Sequence, residues 1–236
     1  MDLIKVEDLG EIDYKKAWDY QEEIHKQIVS QKLENNKLSQ DKQHKTTDYL
    51  LFCEHPHVYT LGKSGEQQNL LIQENYLKSI GATFYKINRG GDITYHGPGQ
   101  IVGYPIIDLE HFKFSVKKYI HILEASIINT LSHYNIKAER LDGSTGVWLD
   151  TDDPTKSRKI CAIGVRISRY VSMHGYALNV STDLDYFRHI NPCGFIDKGV
   201  TSMEKELGEK VNIDNVKKIL TKELDDLLDK STFVEN

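Results

Sequence analysis

The sequence is poor in the features that most readily declare a protein's role. It has three cysteines in 236 residues, Cys53, Cys161 and Cys193. That odd number, at unrelated spacings, argues against a disulfide framework and leaves room for a working thiol. No apolar run approaches the roughly 20 residues of a membrane span. The first eleven residues are acidic and lack the basic, apolar and small-residue order of a signal peptide. A cytoplasmic location without membrane contact is therefore expected. Positive charge is not in excess, since the formal net charge is −5, and this gives no support to nucleic-acid binding. An acidic partner would have to be met by a local basic patch.

Nucleotide signatures fail on inspection. Gly62-Lys63-Ser64 resembles the end of a phosphate loop, but position 57, where the first glycine should stand, is His57. Gly97-Pro98-Gly99 is followed by Gly103, one residue too far for a dinucleotide fingerprint, and by a strand-like run where a helix is needed. Cys53, His55 and His57 share strand parity, but Pro56 breaks the geometry and no further ligand cluster follows, so no metal is expected. No internal repeat is present.

Against these absences stands one dense stretch, Arg89-Gly-Gly-Asp-Ile-Thr-Tyr-His-Gly-Pro-Gly-Gln100. Its glycines allow a backbone to approach a ligand closely, and strand-like runs at 83–88 and 101–109 flank it, so it reads as a pocket wall between strands. Further strands are expected at 48–53, 58–60, 146–149, 159–167 and 171–180, the last two joined by a tight turn near Ser168 and Arg169. Helical periodicity places helices at 14–33 and 116–134 and from about 214 onward. Thr201-Ser202-Met203-Glu204 matches a capping box that should open a short helix. Residues 34–45 read as an exposed loop. The expectation is one domain over 1–236 of the α+β class, with mixed β-sheets and packed helices.

Two strands carry small residues on one parity, Ala162 with Gly164 and Gly175 with Ala177. Facing each other they leave a slot that a straight acyl chain would fill, although close contact with another strand would permit small residues equally well. Cys193 lies between Pro192 and Gly194 on a bent loop, whereas Cys53 and Cys161 sit inside apolar strands. Cys193 is thus the best candidate for a reactive thiol. His96 and His174 lie near the expected pocket and titrate in a useful range.

The Arg89–Gln100 stretch, Lys159-Ile-Cys-Ala-Ile-Gly-Val-Arg166, His174-Gly-Tyr-Ala-Leu-Asn179 and Asn191-Pro-Cys-Gly194 together resemble the octanoyltransferases of lipoate biosynthesis. The resemblance runs from His55 to Met203. It implies a fold related to the biotin and lipoate protein ligase catalytic domains. It also implies transfer of an octanoyl group from acyl carrier protein to a lysine of lipoyl domains, those of 2-oxoacid dehydrogenase E2 subunits and the glycine cleavage H protein, without a cofactor and by a monomer. In that scheme Cys193 carries the acyl group as a thioester and Lys159 exchanges protons with it. Arg89, Gly90, Gly91, Asp92, Ile93, Thr94, Tyr95 and His96 form one wall of the acyl site, and Ala162, Ile163, Gly164, Gly175, Tyr176 and Ala177 form the others. His96 and His174 become positioning residues, and Cys161 is expected to be buried and inert. Lys63, Arg158, Arg166 and Arg169 are candidates for contact with the carrier. The alternative is an ATP-dependent lipoate or biotin protein ligase on the same fold, which needs no catalytic cysteine and leaves the setting of Cys193 without a use.

Overall fold

The computed structural model describes residues 4–191 and 199–232. Its strands are β1 (Lys5–Glu11), β2 (Tyr49–Glu54), β3 (Val58–Leu61), β4 (Thr83–Lys86), β5 (Ile93–His96), β6 (Gln100–Ile106), β7 (Glu139–Leu141), β8 (Ser144–Leu149), β9 (Arg158–Ser168), β10 (Val171–Asn179) and β11 (Gly199–Val200). Its helices are α1 (Tyr14–Asn35), α2 (Glu74–Ser79), α3 (Val116–Ser132), α4 (Met203–Leu207) and α5 (Ile213–Thr232). The larger sheet runs β1-β2-β6-β10-β9-β8-β7, with β11 added beside β9, and the smaller runs β4-β3-β5. Both are mixed: β1–β2, β9–β11 and β3–β4 are parallel and the other pairs antiparallel. This is the α+β architecture expected.

The larger sheet is covered on both faces, and strand parity decides which residue serves which side. Leu50, Phe52, Ile101, Tyr176 and Leu178 join α3 and α5 in one core. Leu51, Cys53, Val102, Tyr104 and Ala177, their neighbours in sequence, pack instead with Ala17, Ile24 and Ile28 of α1. Each large apolar side chain so buried contributes about 1.5–3 kcal/mol before entropy is charged against it. The helices begin where side chains satisfy free backbone N–H groups: Asp13 accepts from the amide of Lys16 and Ser115 from that of Lys118.

Besides α2, β7 and β11, which the sequence expectation lacks, three local features differ from it. Lys5–Glu11 is an edge strand paired with β2, although it is largely exposed and too charged to show an apolar alternation. Ile93–His96, inside the glycine-rich stretch, is itself a strand that pairs with β3. The short helix α4 is capped by Ser202, which accepts from the amide of Lys205, so the box anchored on Thr201 is displaced by one residue. Thr201 uses its hydroxyl on Glu206 instead.

Candidate active site

A cavity of about 470 Å³ lies where β9 and β10 meet the glycine-rich segment. Of the expected wall residues, Arg89, Gly91, Asp92, Ile93, Thr94, His96, Ala162, Ile163, Gly164, Gly175, Tyr176 and Ala177 border it. Gly90 and Tyr95 do not. Gly90 uses its N–H on the carbonyl of Val165, which ties the glycine-rich segment to β9. Tyr95 packs in the smaller sheet's core, and its hydroxyl lies 2.7 Å from His57 Nδ1.

The slot expected from small residues is partly filled by backbone. Ala162 pairs with Ala177 and Gly164 with Gly175. However, a Cβ on Gly175 would lie 2.2 Å from the Gly103 carbonyl oxygen, and one on Gly164 would lie 2.9 Å from that of Gly90. These glycines admit close neighbours as well as bordering the cavity.

Polar side chains of the wall are held by one another. Arg89 is buried and donates through Nη2 to the carbonyl and hydroxyl of Thr60, at 2.7 and 3.1 Å. His96 Nδ1 donates to Gln100 Oε1 at 2.8 Å, Gln100 Nε2 to Asn179 Oδ1 at 2.9 Å, and Asn179 Nδ2 to the Thr201 carbonyl at 2.9 Å. Thr201 in turn gives its N–H to the carbonyl of Lys159 at 3.0 Å. The histidines here are neutral. Burial, reinforced by His55 nearby, lowers the His96 pKa to about 3, and burial with the Arg89 guanidinium lowers that of His174 to about 3.

Lys159 is the second residue of β9 and borders the cavity. Its Nζ lies 4.5 Å from the centroid of the Trp148 ring, a cation–π geometry. Nearby, Gly146 admits the close approach of β9: its φ is +117°, and a Cβ there would stand 2.6 Å from the Cys161 carbonyl oxygen. Cys161 is buried, and burial pushes its thiol well above the ordinary range. The same holds for Cys53.

Cys193 lies outside the described residues. The chain on either side of its segment is fixed. Asn191 donates its N–H to the Asn69 carbonyl at 2.8 Å, and Asn69 Nδ2 donates to Asp92 of the glycine-rich stretch at 2.7 Å. After the segment, β11 pairs in parallel with Arg158 and Lys159.

The four basic candidates do not form one patch. Arg158 is engaged by Glu206 and Asp150. Arg166 lies seven residues from Lys159 along β9, about 23 Å at the rise of a strand. Arg169 lies farther still, in the turn to β10. Lys63 adjoins Ser64, which borders the cavity. Among the described residues no group of three His, Cys, Asp or Glu side chains could hold a metal ion. His55 instead spends Nδ1 on the Ile12 carbonyl and Nε2 on the Tyr104 hydroxyl, each at 2.8 Å.

Gln100, the last residue of the stretch read as a pocket wall, borders the cavity, as do Tyr14, Tyr104, Trp148 and Asn179, which the sequence alone does not place there. Asn179 closes the His174–Asn179 motif. Tyr14 carried no signal, because it opens an ordinary amphipathic helix and reaches the cavity only through tertiary packing.

Residues 13–225 match the lipoyl protein ligase A/B catalytic domain. An octanoyltransferase from Flavobacterium psychrophilum is 56% identical over 227 residues, covering 96% of this chain and 97% of that protein. One from Cytophaga hutchinsonii is 55% identical over 221 residues, covering 94% and 91%. A bi-partite lipoate protein ligase from Thermoplasma acidophilum shares the fold at a TM-score of 0.68 and 15% identity, covering 96% of this chain and 84% of that one. With the domain match spanning nearly its whole length and relatives more than half identical to it, the chain belongs to the lipoyl protein ligase A/B catalytic-domain family and, within it, to the octanoyltransferases.

Proposed function

We propose that this protein moves an octanoyl group from the phosphopantetheine thioester of acyl carrier protein to the acceptor lysine of lipoyl domains, those of 2-oxoacid dehydrogenase E2 subunits and the glycine cleavage H protein. Cys193 carries the group in between. The observation that carries the reading is the union of a half-enclosed cavity with Lys159 on the strand to which the chain returns after Cys193. Both sheets contribute to that one cavity, which supports a single catalytic domain.

In the first half-reaction the Cys193 thiolate attacks the donor carbonyl. A new C–S bond forms, the bond to the pantetheine sulfur breaks, and that sulfur takes up the proton the thiol released. In the second, the acceptor amine attacks the Cys193 thioester, forms the amide, loses a proton and returns the thiolate. Lys159 is the group that holds and passes the proton in each step. A thioester is already activated, so neither half-reaction needs a nucleotide. The neutral histidines of the wall are poor proton carriers near neutrality, because their pKa values lie far below it. They position the wall.

Incubation with octanoyl-acyl carrier protein followed by intact-protein mass spectrometry tests the proposal. An octanoyl adduct is expected on the wild type and is lost in Cys193→Ser. Absence of the adduct from the wild type, or its persistence in the variant, overturns the acyl-enzyme.

A further inference from the structure

Lys159 stands on the cavity side of β9 against the alternation of its strand. Cys161 and, beyond it, Ile163, Val165 and Ile167 share its parity and pack with the core of α3 and α5. The break lies in the pairing of β8 with β9. Val147 opposes Cys161, but the next residue, Trp148, opposes Lys159, so Ile160 is the extra residue of a bulge. Ile160 and Cys161 both join the core, and Lys159 borders the cavity with Ala162 and Gly164. A bulge placed here re-aims the lysine side chain.

It is aimed at the face of Trp148. Residues opposite each other in a ladder project to one side of the sheet, and Lys159 Nζ lies 4.5 Å from the centroid of the Trp148 ring. The ring is itself fixed: it is buried, and its Nε1 donates to the carbonyl of Ser144 at 3.1 Å. The start of β8 is held from behind by the buried Glu124 of α3, which accepts from the N–H of Gly146 at 3.1 Å and from Arg140 Nε at 2.8 Å. A lysine ammonium rides on a flexible stem, and a proton carrier serving two half-reactions must be found in one place in both. We infer that Trp148 is a positioning residue for the transfer, its indole face seating the Lys159 ammonium at the cavity. The attraction comes from the negative face of the ring, so it depends on the electron density there as well as on the ring's shape.

The inference rests on the acyl transfer proposed above, and the test separates the two. The kcat and the KM for octanoyl-acyl carrier protein are measured for the wild type, Trp148→Phe and Trp148→Leu. They are measured also in a Trp18→Phe background, where Trp148 is the one tryptophan left and is replaced by mono-, di- and trifluorotryptophan. Fluorine withdraws electron density from the ring face and nearly preserves its volume, so the packing is kept while the pull on an ammonium weakens. The kcat should fall about tenfold in Trp148→Leu, less in Trp148→Phe, which keeps a ring, and stepwise along the fluorine series, with KM changed by less than about twofold. The same kcat throughout the fluorine series overturns the inference, whether or not Trp148→Leu folds. A raised KM with kcat unchanged overturns it too, because Trp148 would then be a binding wall alone. No transfer by the wild type overturns the acyl transfer itself, and the inference with it.

Discussion

The two faces of β10 are filled by different rules. Tyr176 and Leu178 join a continuous apolar core with Leu123, Leu220 and Leu224 of the helices behind the sheet, all fully or almost fully buried. On the cavity side stand Ala177, His174 and Asn179, which is buried among hydrogen bonds. The first face is packed into the apolar core, where side-chain volume is the main constraint, although Tyr176 also borders the cavity. The second keeps space open for a ligand, and it does so at a cost in stability: neutral buried histidines and a left-handed backbone. Stability and function are thus divided across the thickness of one strand.

That division makes the cavity side acid-sensitive. His55 is held at about 4, mainly by burial, and His96 and His174 at about 3. The folded protein keeps all three neutral, while an unfolded chain binds protons on them at about pH 6.5. Their contribution to stability is therefore complete above that pH and is lost as pH falls toward the folded values. Each loses about 2 kcal/mol by pH 5, several kcal/mol together. Urea denaturation at pH 7.5 and pH 5.0 should show a large drop in midpoint, and equal midpoints would rule out the neutral buried histidines.

Leu220→Ala tests the opposite face. Removing a fully buried side chain should cost about 2–5 kcal/mol, while transfer per folded molecule persists. Asn179→Ala should cost less stability, about 1–3 kcal/mol, because it leaves Gln100 Nε2 with only the Tyr95 carbonyl and removes a bond to Thr201. It should lower kcat more than it raises the KM for the donor, since the network it breaks reaches the backbone of Lys159. Thermal melts combined with steady-state transfer assays separate these outcomes. Loss of activity in Leu220→Ala in proportion to Asn179→Ala would erase the contrast between the faces.

Much of the arrangement was legible in the sequence, and the failures have physical causes. The strands of β9 and β10 and their small residues could be read because alternation and residue size are local properties. The sequence groups Tyr95 with its cavity-lining neighbours because it does not show the distant rings of Tyr59 and Tyr186, against which Tyr95 packs in the smaller sheet's core. The edge strand Lys5–Glu11 escaped notice because exposure removes the apolar pattern by which strands are recognised, and its pairing partner lies some forty residues on. The four arginines and lysines could not be sorted by sequence, because carboxylates distant in the chain, Glu206 among them, decide which charges are already paired.

The sequence by itself determined the class of chemistry. Motifs several residues long, in fixed order, carry backbone and side-chain requirements that are local and so survive without coordinates: a cysteine set between proline and glycine, a lysine opening a strand, glycines where chains must touch. Only the tertiary structure decided how the cavity is completed. That Tyr14 of the first helix closes on His96, with their rings 6.0 Å apart and near parallel, and that the His174 ring meets Trp18 of the same helix at 6.4 Å, depend on which distant surfaces pack together. Such packing is set by the summed burial of the whole fold, and no single segment of the chain contains it.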